Sequence, residues 1–560
     1  MGADIPESGA AGGAEAMDSR QGSEGRAAPR QLDVVVIGAG FSGLYALYKF
    51  RDVLGLTVQV FETGAGVGGT WYWNRYPGAR CDSESFYYCF SFDTGLAQEW
   101  EWTGRYPEQP EIERYLNHVA DRFDLRRDIQ LSTRVTAARF DEAANRWEVR
   151  TEHGECVSAR YLVSAVGCLS AANLPDIPGR ERFQGELCHT ARWPEAGIDF
   201  AGKRVGLIGT GSTGIQATPV IAAAARELTV FQRTPNFSVP ARHKAFAPAD
   251  QARIKRDYPE IFRRTRESPA GFPYFPIERS THDVSAEERE QILEGLWKEG
   301  GFKFLWGGFN DLLLDPEANE IAAEFVRSKI RETVKDPETA EVLCPKCHPY
   351  GSKRPPIDTD YYETFNRENV RLVDIKRTPI QEITETGLRT TAGDFELDVL
   401  VFATGFDAMT GSLLRIDIEG AGGLRLADAW AEGPRTFLGI QVAGFPNLFT
   451  ITGPGSPSVL VNMPVAIEHH VDWIADCIVH MQETGKTRVE ASESAQDAWV
   501  AHVAEVAELS LVGRADSWYV GANIPGKARV VAPYAGGQPL YRERCEAVVS
   551  SGYEGLEFQS

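Results

Sequence analysis

Two glycine-rich motifs in the sequence have the spacing that binds the pyrophosphate of a dinucleotide. Gly38-Ala-Gly40-Phe-Ser-Gly43 and Gly209-Thr-Gly211-Ser-Thr-Gly214 each follow an apolar run and precede a helical stretch. Glycines with this spacing allow a tight turn, and they let the N–H groups of a helix N-terminus approach the pyrophosphate. We expect the first site to be lined by Gly38, Gly40, Ser42 and Gly43, and the second by Gly209, Thr210, Gly211, Ser212 and Gly214.

Glu62 and Arg233 stand at equivalent positions after the two motifs and carry opposite charges. Each lies nineteen residues beyond the last glycine of its motif, and Thr234 follows Arg233. A carboxylate accepts hydrogen bonds from free ribose hydroxyls, whereas a cation suits a ribose 2′-phosphate. We therefore expect FAD at the first site and NADPH or NADP⁺ at the second, with hydride transfer to the flavin. The alternatives are a glycine turn without a ligand and a surface arginine in a degenerate second motif.

Four short apolar runs predict the strands that position these motifs. Asp33–Ile37 and Val58–Phe61 flank the first motif, and Arg204–Ile208 and Leu228–Phe231 flank the second. Each pair, with the helix between its strands, predicts a β-α-β unit of a parallel sheet. The expected fold class is α/β, with two Rossmann-like dinucleotide-binding domains and a helical insertion in the NADP domain.

Helical patterning marks that insertion at about 245–340. Ser285 and Glu288 have the spacing of a capping box, and apolar residues recur every four positions from Ala322 to Val334. The later runs Leu397–Phe402 and Leu448–Thr452 are strand-like and are expected to rejoin the first sheet. The expected order is a disordered tail (1–30), the first part of the FAD domain (31–170), the NADP domain (171–396), and the second part of the FAD domain with a substrate loop and a C-terminal lid (397–560).

The composition excludes several classes of function. The chain has 560 residues and a formal net charge of −21, which argues against binding the phosphate backbone of nucleic acid. Its nine cysteines are scattered, as in proteins of a reducing compartment. The first thirty residues have no apolar core of a secretory signal, and no apolar run approaches the roughly eighteen residues of a membrane span. We expect a cytoplasmic monomer without nucleic-acid or membrane partners.

The electrons of a reduced flavin could pass to a disulfide, to an external acceptor or to dioxygen. A disulfide reductase needs a CxxC beside the flavin, and the only CxxC of the sequence is Cys344-Pro-Lys-Cys347. With His348 it also matches a haem-attachment motif, but no second CxxC completes a zinc site. We expect a turn with two ordinary thiols there, and no metal site.

Three further stretches carry a resemblance to a known family. Phe183 to Pro194 fits the pattern FxGxxxHxxxW(P/D) at every fixed position, namely at Phe183, Gly185, His189, Trp193 and Pro194. Gly69 to Asp82 and Asp398 to Phe406 resemble two more conserved stretches. Together they resemble the type I Baeyer–Villiger monooxygenases, a family of class B flavin monooxygenases, from about residue 31 to 557. Within it the sequence is most similar to the phenylacetone and steroid monooxygenases.

The resemblance implies a role for individual residues. Arg354 matches the catalytic arginine, and Asp82 matches the acid that pairs with it. Lys353 joins Arg233 and Thr234 in a clamp for the 2′-phosphate. His189 is expected to make interdomain hydrogen bonds. The resemblance also implies FAD contacts at Gly69, Thr70, Trp71, Asp82, Tyr88 and Met463, NADP contacts at Arg80, Lys353, Arg354 and Trp518, and a ketone pocket at Phe445, Ser458, Val459, Leu460 and Met463.

The chemistry of arginine agrees with this resemblance. A reduced flavin reacts with dioxygen to a C4a-peroxide, whose anion adds to a ketone and gives a tetrahedral adduct that collapses to an ester or lactone. Both anions need a positive charge that cannot lose its proton, and the pKa of arginine stays above about 12. Oxidation of sulfides is expected as well. The glycine-rich stretch 513–526, which contains Trp518, is expected to close over the site and exclude water.

Three other functions remain as alternatives. A related flavin monooxygenase would use the same intermediate to oxidise nitrogen or sulfur. An FAD/NADPH reductase would not oxygenate at all. A redox-sensing module would bind both nucleotides without catalysis, but it would have no need of Arg354 and Asp82.

Overall fold

The computed structural model describes residues 29–560. The expected tail, 1–30, lies outside this range except for its last two residues, and Arg30 already belongs to a strand. The strands are β1 Arg30–Ile37, β2 Val58–Phe61, β3 Ile129–Gln130, β4 Val135–Asp141, β5 Arg146–Thr151, β6 Cys156–Ser164, β7 Glu186–His189, β8 Arg204–Ile208, β9 Glu227–Gln232, β10 Val239–Pro240, β11 Ile357–Asp358, β12 Val370–Asp374, β13 Ile380–Thr384, β14 Gly387–Thr390, β15 Gly393–Glu396, β16 Val399–Phe402, β17 Asp417–Glu419, β18 Leu448–Thr450, β19 Arg488–Ala491 and β20 Leu556–Gln559.

The helices alternate with these strands, and a π-helical turn at Tyr48–Val53 continues the first of them. They are α1 Phe41–Leu47, α2 Thr70–Trp73, α3 Thr94–Glu99, α4 Gln109–Arg122, α5 Ser212–Ala224, α6 Pro248–Glu267, α7 Ala286–Glu299, α8 Lys303–Trp306, α9 Pro316–Thr333, α10 Pro337–Leu343, α11 Tyr361–Thr364, α12 Gly411–Leu414, α13 Leu426–Ala429, α14 Met463–Thr484, α15 Glu493–Glu508 and α16 Gln538–Ser550. Within residues 29–560, none of them is both long and apolar enough to cross a membrane.

The first sheet has the order β17-β4-β5-β6-β1-β2-β3, with β18 also beside β6. Strands β1, β2, β3, β6 and β18 run parallel, and the hairpin β4–β5 extends the sheet in antiparallel fashion. In β1 the run Val34–Ile37 is buried, because helices cover one face of the sheet and strands with their loops cover the other. The β1-α1-β2 unit therefore forms where the sequence predicts it.

The second sheet is parallel, with the order β12-β9-β8-β16-β7. Its β8-α5-β9 unit is the one predicted around the second glycine motif. Strand β16 lies between β8 and β7, so the expectation that Leu397–Phe402 rejoins the first sheet is wrong. The Leu448–Thr450 strand does rejoin it, beside β6. An apolar run that is buried on both faces predicts a strand but does not indicate which of two sheets the strand joins.

The insertion is helical, as expected, and consists of α6 to α10. Ser285 caps α7, because its side chain accepts a hydrogen bond from the N–H of Glu288 at 3.2 Å. The carboxylate of Glu288 instead binds Arg279 at 2.8 Å, so only half of the predicted capping box forms. The apolar stripe of α9 is fully buried, and Val334 ends the helix. Helices α7 to α10 pack on the second sheet, whereas α6 packs against the core of the first unit, and the insertion supplies residues to the site described next.

Candidate active site

The first glycine turn is shaped to receive a pyrophosphate. Gly38 has a φ of +106°, and a Cβ at Gly43 would lie 1.8 Å from the Gly38 carbonyl oxygen, so α1 can begin here only with glycines. A Cβ at Gly40 would meet the Cα of Gly69 at 3.3 Å. The first glycine motif and Gly69 therefore lie against each other at the N-terminus of α1, where backbone N–H groups can approach a phosphate.

Glu62 ends β2 beside this turn. Its two carboxylate oxygens accept hydrogen bonds from the N–H groups of Ala39 (2.8 Å) and Gly64 (2.6 Å). Burial raises the pKa of Glu62, and these two amide donors oppose that shift. Each carboxylate oxygen can accept a second hydrogen bond. Glu62 is thus oriented to receive ribose hydroxyls.

The second glycine turn is open. Gly209 has a φ of +113°, and a Cβ at Gly211, an exposed residue, would have no atom within 4 Å. Arg233 is exposed at the end of β9, and Thr210 ties this strand end to the turn by donating to the carbonyl of Thr234 at 3.0 Å. Free space, helix N–H groups and a cation meet at one place, which suits a phosphorylated dinucleotide.

Lys353 completes a cationic cluster at this place. Burial lowers the pKa of Lys353. Among the nearby charged groups, Cys347 acts to raise this pKa and Arg233 acts to lower it. Because the charge of Arg233 acts on Lys353, the two side chains lie near each other, and two neighbouring cations suit a doubly charged phosphate.

Arg354 and Asp82 form a bidentate ion pair. Nε and Nη2 of Arg354 each donate to a carboxylate oxygen of Asp82 at 2.8 Å, and Nη1 donates to the Val459 carbonyl at 2.8 Å. The guanidinium carbon lies 4.6 Å above the ring of Phe302, a residue of the insertion. Burial by itself would lower the pKa of Arg354, but Asp82 outweighs it and raises that pKa above its ordinary value. The arginine is a permanent and fixed cation.

The loop that carries Val459 packs against the C-terminal segment. Val459, Cys168 and Tyr519 belong to one apolar cluster, and Leu460, Met463 and Trp518 border it. The rings of Trp518 and Tyr519 are 4.4 Å apart. The structure therefore brings the expected pocket residues Ser458 to Met463 and the expected lid together, next to Arg354.

The stretch before Asp82 docks on the second dinucleotide unit. Tyr76 donates to the side-chain oxygen of Gln216 on α5 at 2.8 Å, and the Gln216 amide donates to the carbonyl of Arg80 at 3.1 Å. At Gly78, with a φ of +82°, a Cβ would lie 2.4 Å from the Gln216 carbonyl oxygen. The side chain of Arg80 itself is paired with Glu108 at 2.8 Å.

His189 lies where the chain passes between the two sheets. Its Nδ1 accepts the N–H of Ala191 at 3.0 Å, so Nε2 carries the proton and faces the hydroxyl of Thr404 at 3.3 Å. That hydroxyl donates to the carbonyl of Asn173 at 2.6 Å. Burial lowers the pKa of His189 to about 4, so the ring is neutral at neutral pH. These contacts join chain segments rather than face Arg354.

The remaining expected FAD contacts surround the first turn. Trp71 donates to the hydroxyl of Tyr88 at 3.1 Å, Thr70 begins α2 and Met463 begins α14. Phe445 is an exception among the pocket residues. It is fully buried in the cluster beneath the first sheet with Leu448, so its assignment to the ketone pocket is wrong. Phe445 lies just before the buried strand β18 and packs with it in the core.

Three further contacts of this site have no signal in the sequence. Phe302, Gln216 and the carbonyl of Val459 all take part, and none belongs to a motif around Arg354. The CxxC follows α10 and forms no disulfide: Cys344 is buried, and Cys347 is exposed near Lys353, with its sulfur 3.5 Å from Nδ1 of His348. Within residues 29–560, no group of histidine, cysteine and carboxylate side chains could hold a metal ion.

Two glycine turns of Rossmann type, in one chain with a fixed ion pair of arginine and aspartate, define a protein that binds two dinucleotides. Comparison with known proteins agrees. Residues 32–257 match the family model described as pyridine nucleotide-disulphide oxidoreductase. A Baeyer-Villiger monooxygenase of Pseudooceanicola batsensis is 45% identical over 527 residues, which cover 94% of this chain and 96% of that protein. The chain belongs to the Baeyer–Villiger monooxygenase family.

Two further similarities have the same extent. The solved structure of an oxidized steroid monooxygenase bound to NADP superposes with a TM-score of 0.90 at 52% identity, covering 94% of this chain and 99% of that one. A phenazine N-monooxygenase of Lysobacter antibioticus is 44% identical over 531 residues, covering 94% of this chain and 97% of that protein.

Proposed function

We propose that this protein is an FAD-containing, NADPH-dependent Baeyer–Villiger monooxygenase that uses dioxygen to convert a ketone to an ester or lactone. The observation that carries the proposal is the bidentate Arg354–Asp82 pair, which is held against the apolar loop of Val459. It is a permanent cation with one face of its guanidinium on Phe302.

The residues present fit both cofactors. Gly38, Gly40 and Gly43 leave the approach that a pyrophosphate needs, and Glu62 fits an unphosphorylated ribose. The open turn at Gly211, with Arg233, Thr234 and Lys353, fits NADP rather than NAD. FAD, when bound, accepts hydride from NADPH and activates dioxygen.

Arg354 stabilises the negative charge that develops on the ketone oxygen during the reaction. A cation held in place before that charge appears needs no reorganisation, which is where such stabilisation is strongest. Asp82 and the Val459 carbonyl keep the guanidinium in one orientation, and they leave the second proton of Nη1 and that of Nη2 free to donate. Asp82 therefore positions, and Arg354 contacts the reacting atoms.

The apolar cluster of Val459, Leu460, Met463, Trp518 and Tyr519 excludes water from this place. Water exclusion strengthens the field of Arg354 and prevents the loss of reduced oxygen as hydrogen peroxide. We assign ketone recognition to Ser458, Val459, Leu460 and Met463. The partner is a small molecule, and we expect a cytoplasmic monomer.

Oxidation of nitrogen is a second candidate, favoured by the similarity to a phenazine N-monooxygenase. A heteroatom needs no stabilised ketone oxygen, so Arg354 distinguishes the two reactions. Oxidation of sulfides would be a side reaction of the same site.

The test follows NADPH, ester and hydrogen peroxide together. The yellow protein is given NADPH, oxygen and a panel of linear, cyclic, aromatic and steroidal ketones, beside phenazine and a sulfide. We expect an ester or lactone for at least one ketone, in amounts close to the NADPH consumed. Arg354→Ala should still be reduced by NADPH but form no ester. Quantitative conversion of NADPH into hydrogen peroxide with every ketone would overturn the proposal.

A further inference from the structure

The loop that presents the Val459 carbonyl to Arg354 has an unfavourable backbone. Within this loop, residues 452–460, Thr452 has a φ of +53° and Ser458 a φ of +42°. Residues with a Cβ rarely adopt such values unless the surroundings hold them there. Gly455 is also left-handed, with a φ of +85°, which a glycine adopts without strain, but Thr452 and Ser458 have no such freedom. Contacts from outside the loop must therefore fix it.

His470 supplies the contact at the start of the loop. It is fully buried on α14, and its Nδ1 lies 3.0 Å from the N–H of Thr452. That N–H can only donate, so Nδ1 accepts and the ring proton resides on Nε2. Burial lowers the pKa of His470 to about 4, and a neutral ring is what this arrangement requires.

Tyr541 continues the chain of hydrogen bonds. Its hydroxyl oxygen is 2.7 Å from Nε2 of His470 and accepts that proton, while its own proton is donated to the carbonyl of Leu438. Leu438 has a φ of +57°, and next to it a Cβ at Gly439 would lie 2.6 Å from the N–H nitrogen of Ser456. The turn that Tyr541 holds thus supports the loop from below.

The C-terminal part of the chain also holds the loop 452–460 in place. Trp499 on α15 donates to the carbonyl of Gly455 at 3.1 Å, and the N–H of Gly455 donates to the carbonyl of Ala532 at 2.7 Å. The ring of Tyr541 stacks on His470 with centroids 5.6 Å apart. Helix α16 is therefore linked to the loop 452–460 through this buried set of polar groups.

We propose that His470 and Tyr541 are positioning residues that set the place of the Val459 carbonyl and, through it, of the Arg354 guanidinium. Neither side chain contacts Arg354, and both act through the loop 452–460. The proposal rests on the proposed function, because it concerns the use that the reaction makes of Arg354.

The test removes one oxygen atom. Tyr541→Phe keeps the ring on His470 and leaves the Nε2–H and the Leu438 carbonyl without partners. Tyr541 contacts Leu438 and His470 and neither glycine turn, so the reduction of the flavin by NADPH should stay within about twofold of wild type. We expect ester formed per NADPH consumed to fall at least threefold, with a matching rise in hydrogen peroxide. Tyr553→Phe is the control, since Tyr553 is also buried near the C-terminus but packs on Trp473.

Two further measurements keep the proposal open to refutation. His470→Asn retains an acceptor near the Nδ1 position but breaks the link to Tyr541, so it should match Tyr541→Phe, and the double variant should be no worse than either. In the FAD-bound protein without substrate, amide hydrogen exchange over 448–460 should rise at least tenfold in Tyr541→Phe.

The outcomes separate the two proposals. A wild-type protein that forms no ester from any ketone would overturn the proposed function, whatever the variants do. Wild-type coupling and unchanged exchange in Tyr541→Phe, beside a working wild type, would overturn the positioning role alone. Additive losses in the double variant would also contradict it, because they would show two independent contributions.

Discussion

Arg233 and Lys353 are the residues whose charges suit a second phosphate on the adenosine ribose. Arg233 is exposed at the end of β9, and Lys353 reaches the same place from the segment before Arg354. The equivalent position after the first motif is occupied by Glu62, whose negative charge would repel a phosphate. Glu62 and Arg233 therefore occupy matching positions in two similar units, and their opposite charges account for the different ligands that we expect.

Replacement of Arg233 should change cofactor preference without changing the chemistry. A hydrogen bond between charged groups contributes about 1.5–3 kcal/mol, which corresponds to roughly ten- to hundredfold in affinity. In Arg233→Ala we expect the KM for NADPH to rise by about that factor, and the KM for NADH to stay unchanged. Arg226→Ala, an exposed arginine paired with Glu227, is the control. A similar rise with both cofactors would contradict the assignment.

At this scale the sequence predicted a good deal of the site. Glu62, Arg233 and the glycines follow from spacing, and Arg354 with Asp82 follows from the resemblance. The Val459 carbonyl and Phe302 could not be predicted, because backbone carbonyls bear no sequence signal and Phe302 reaches Arg354 only through tertiary packing. Phe445 was misplaced for a related reason: the sequence shows that a residue is apolar, not which cavity it faces.

At the scale of elements, α14 joins the site to the first sheet. It begins at Met463, and in its second turn Glu468 accepts hydrogen bonds from the N–H groups of Ser91 (2.6 Å) and Phe92 (3.2 Å) and from the hydroxyl of Ser91. Burial raises the pKa of Glu468 to about 7, against these hydrogen bonds. The carboxyl group that fastens α14 to the irregular segment 91–92 therefore exchanges its proton near neutral pH.

This shift predicts a dependence of stability on pH. Because the folded protein holds the proton of Glu468 more tightly than the unfolded chain, the contribution of this group falls as pH rises from about 4.5 to about 7. The loss amounts to about 3 kcal/mol above pH 7. Glu468→Gln should remove it, since an amide oxygen can accept both N–H groups while its NH₂ donates to Ser91.

Thermal unfolding of the FAD-bound protein measures this effect. Glu468→Gln should unfold at nearly the same temperature as wild type at pH 5 and several degrees higher at pH 8. Glu483→Gln, an exposed position on the same helix, should match wild type at both values. A gain that is equal at pH 5 and pH 8 would show that packing, not protonation, is the cause.

At the scale of the whole molecule, most elements form where periodicity and glycine spacing predict them, and their assembly does not follow from those signals. Strand β16 is the example: its four residues are fully buried, and it lies between β8 and β7 although the sequence order suggested the first sheet. Between β9 and β16 the chain makes the helical insertion, β12 and the antiparallel sheet β13–β15. Pairing over such separations depends on packing that a local pattern does not contain.

The junction of the two dinucleotide units depends on Gln216. This one side chain accepts from Tyr76 and donates to the carbonyl of Arg80, six and two residues before Asp82. The unit that would hold NADPH is thereby attached to the segment that carries Asp82, the partner of Arg354. Gly78 allows the close approach, because any Cβ there would collide with α5.

Gln216→Ala should therefore slow hydride transfer while leaving each unit intact. The variant loses three hydrogen bonds, to the Tyr76 hydroxyl and to the N–H and the carbonyl of Arg80, at about 1 kcal/mol each, too little to unfold the chain. A small displacement between nicotinamide and flavin, however, reduces the rate of transfer by about tenfold or more. Anaerobic stopped-flow reduction by NADPH measures that rate, with FAD content and the unfolding temperature as checks. Gln184→Ala, a glutamine whose amide is 3.5 Å from Glu385 within one unit, is the control. If Gln216→Ala is reduced as fast as wild type, the two units keep their alignment by other contacts and the role given to this residue is wrong.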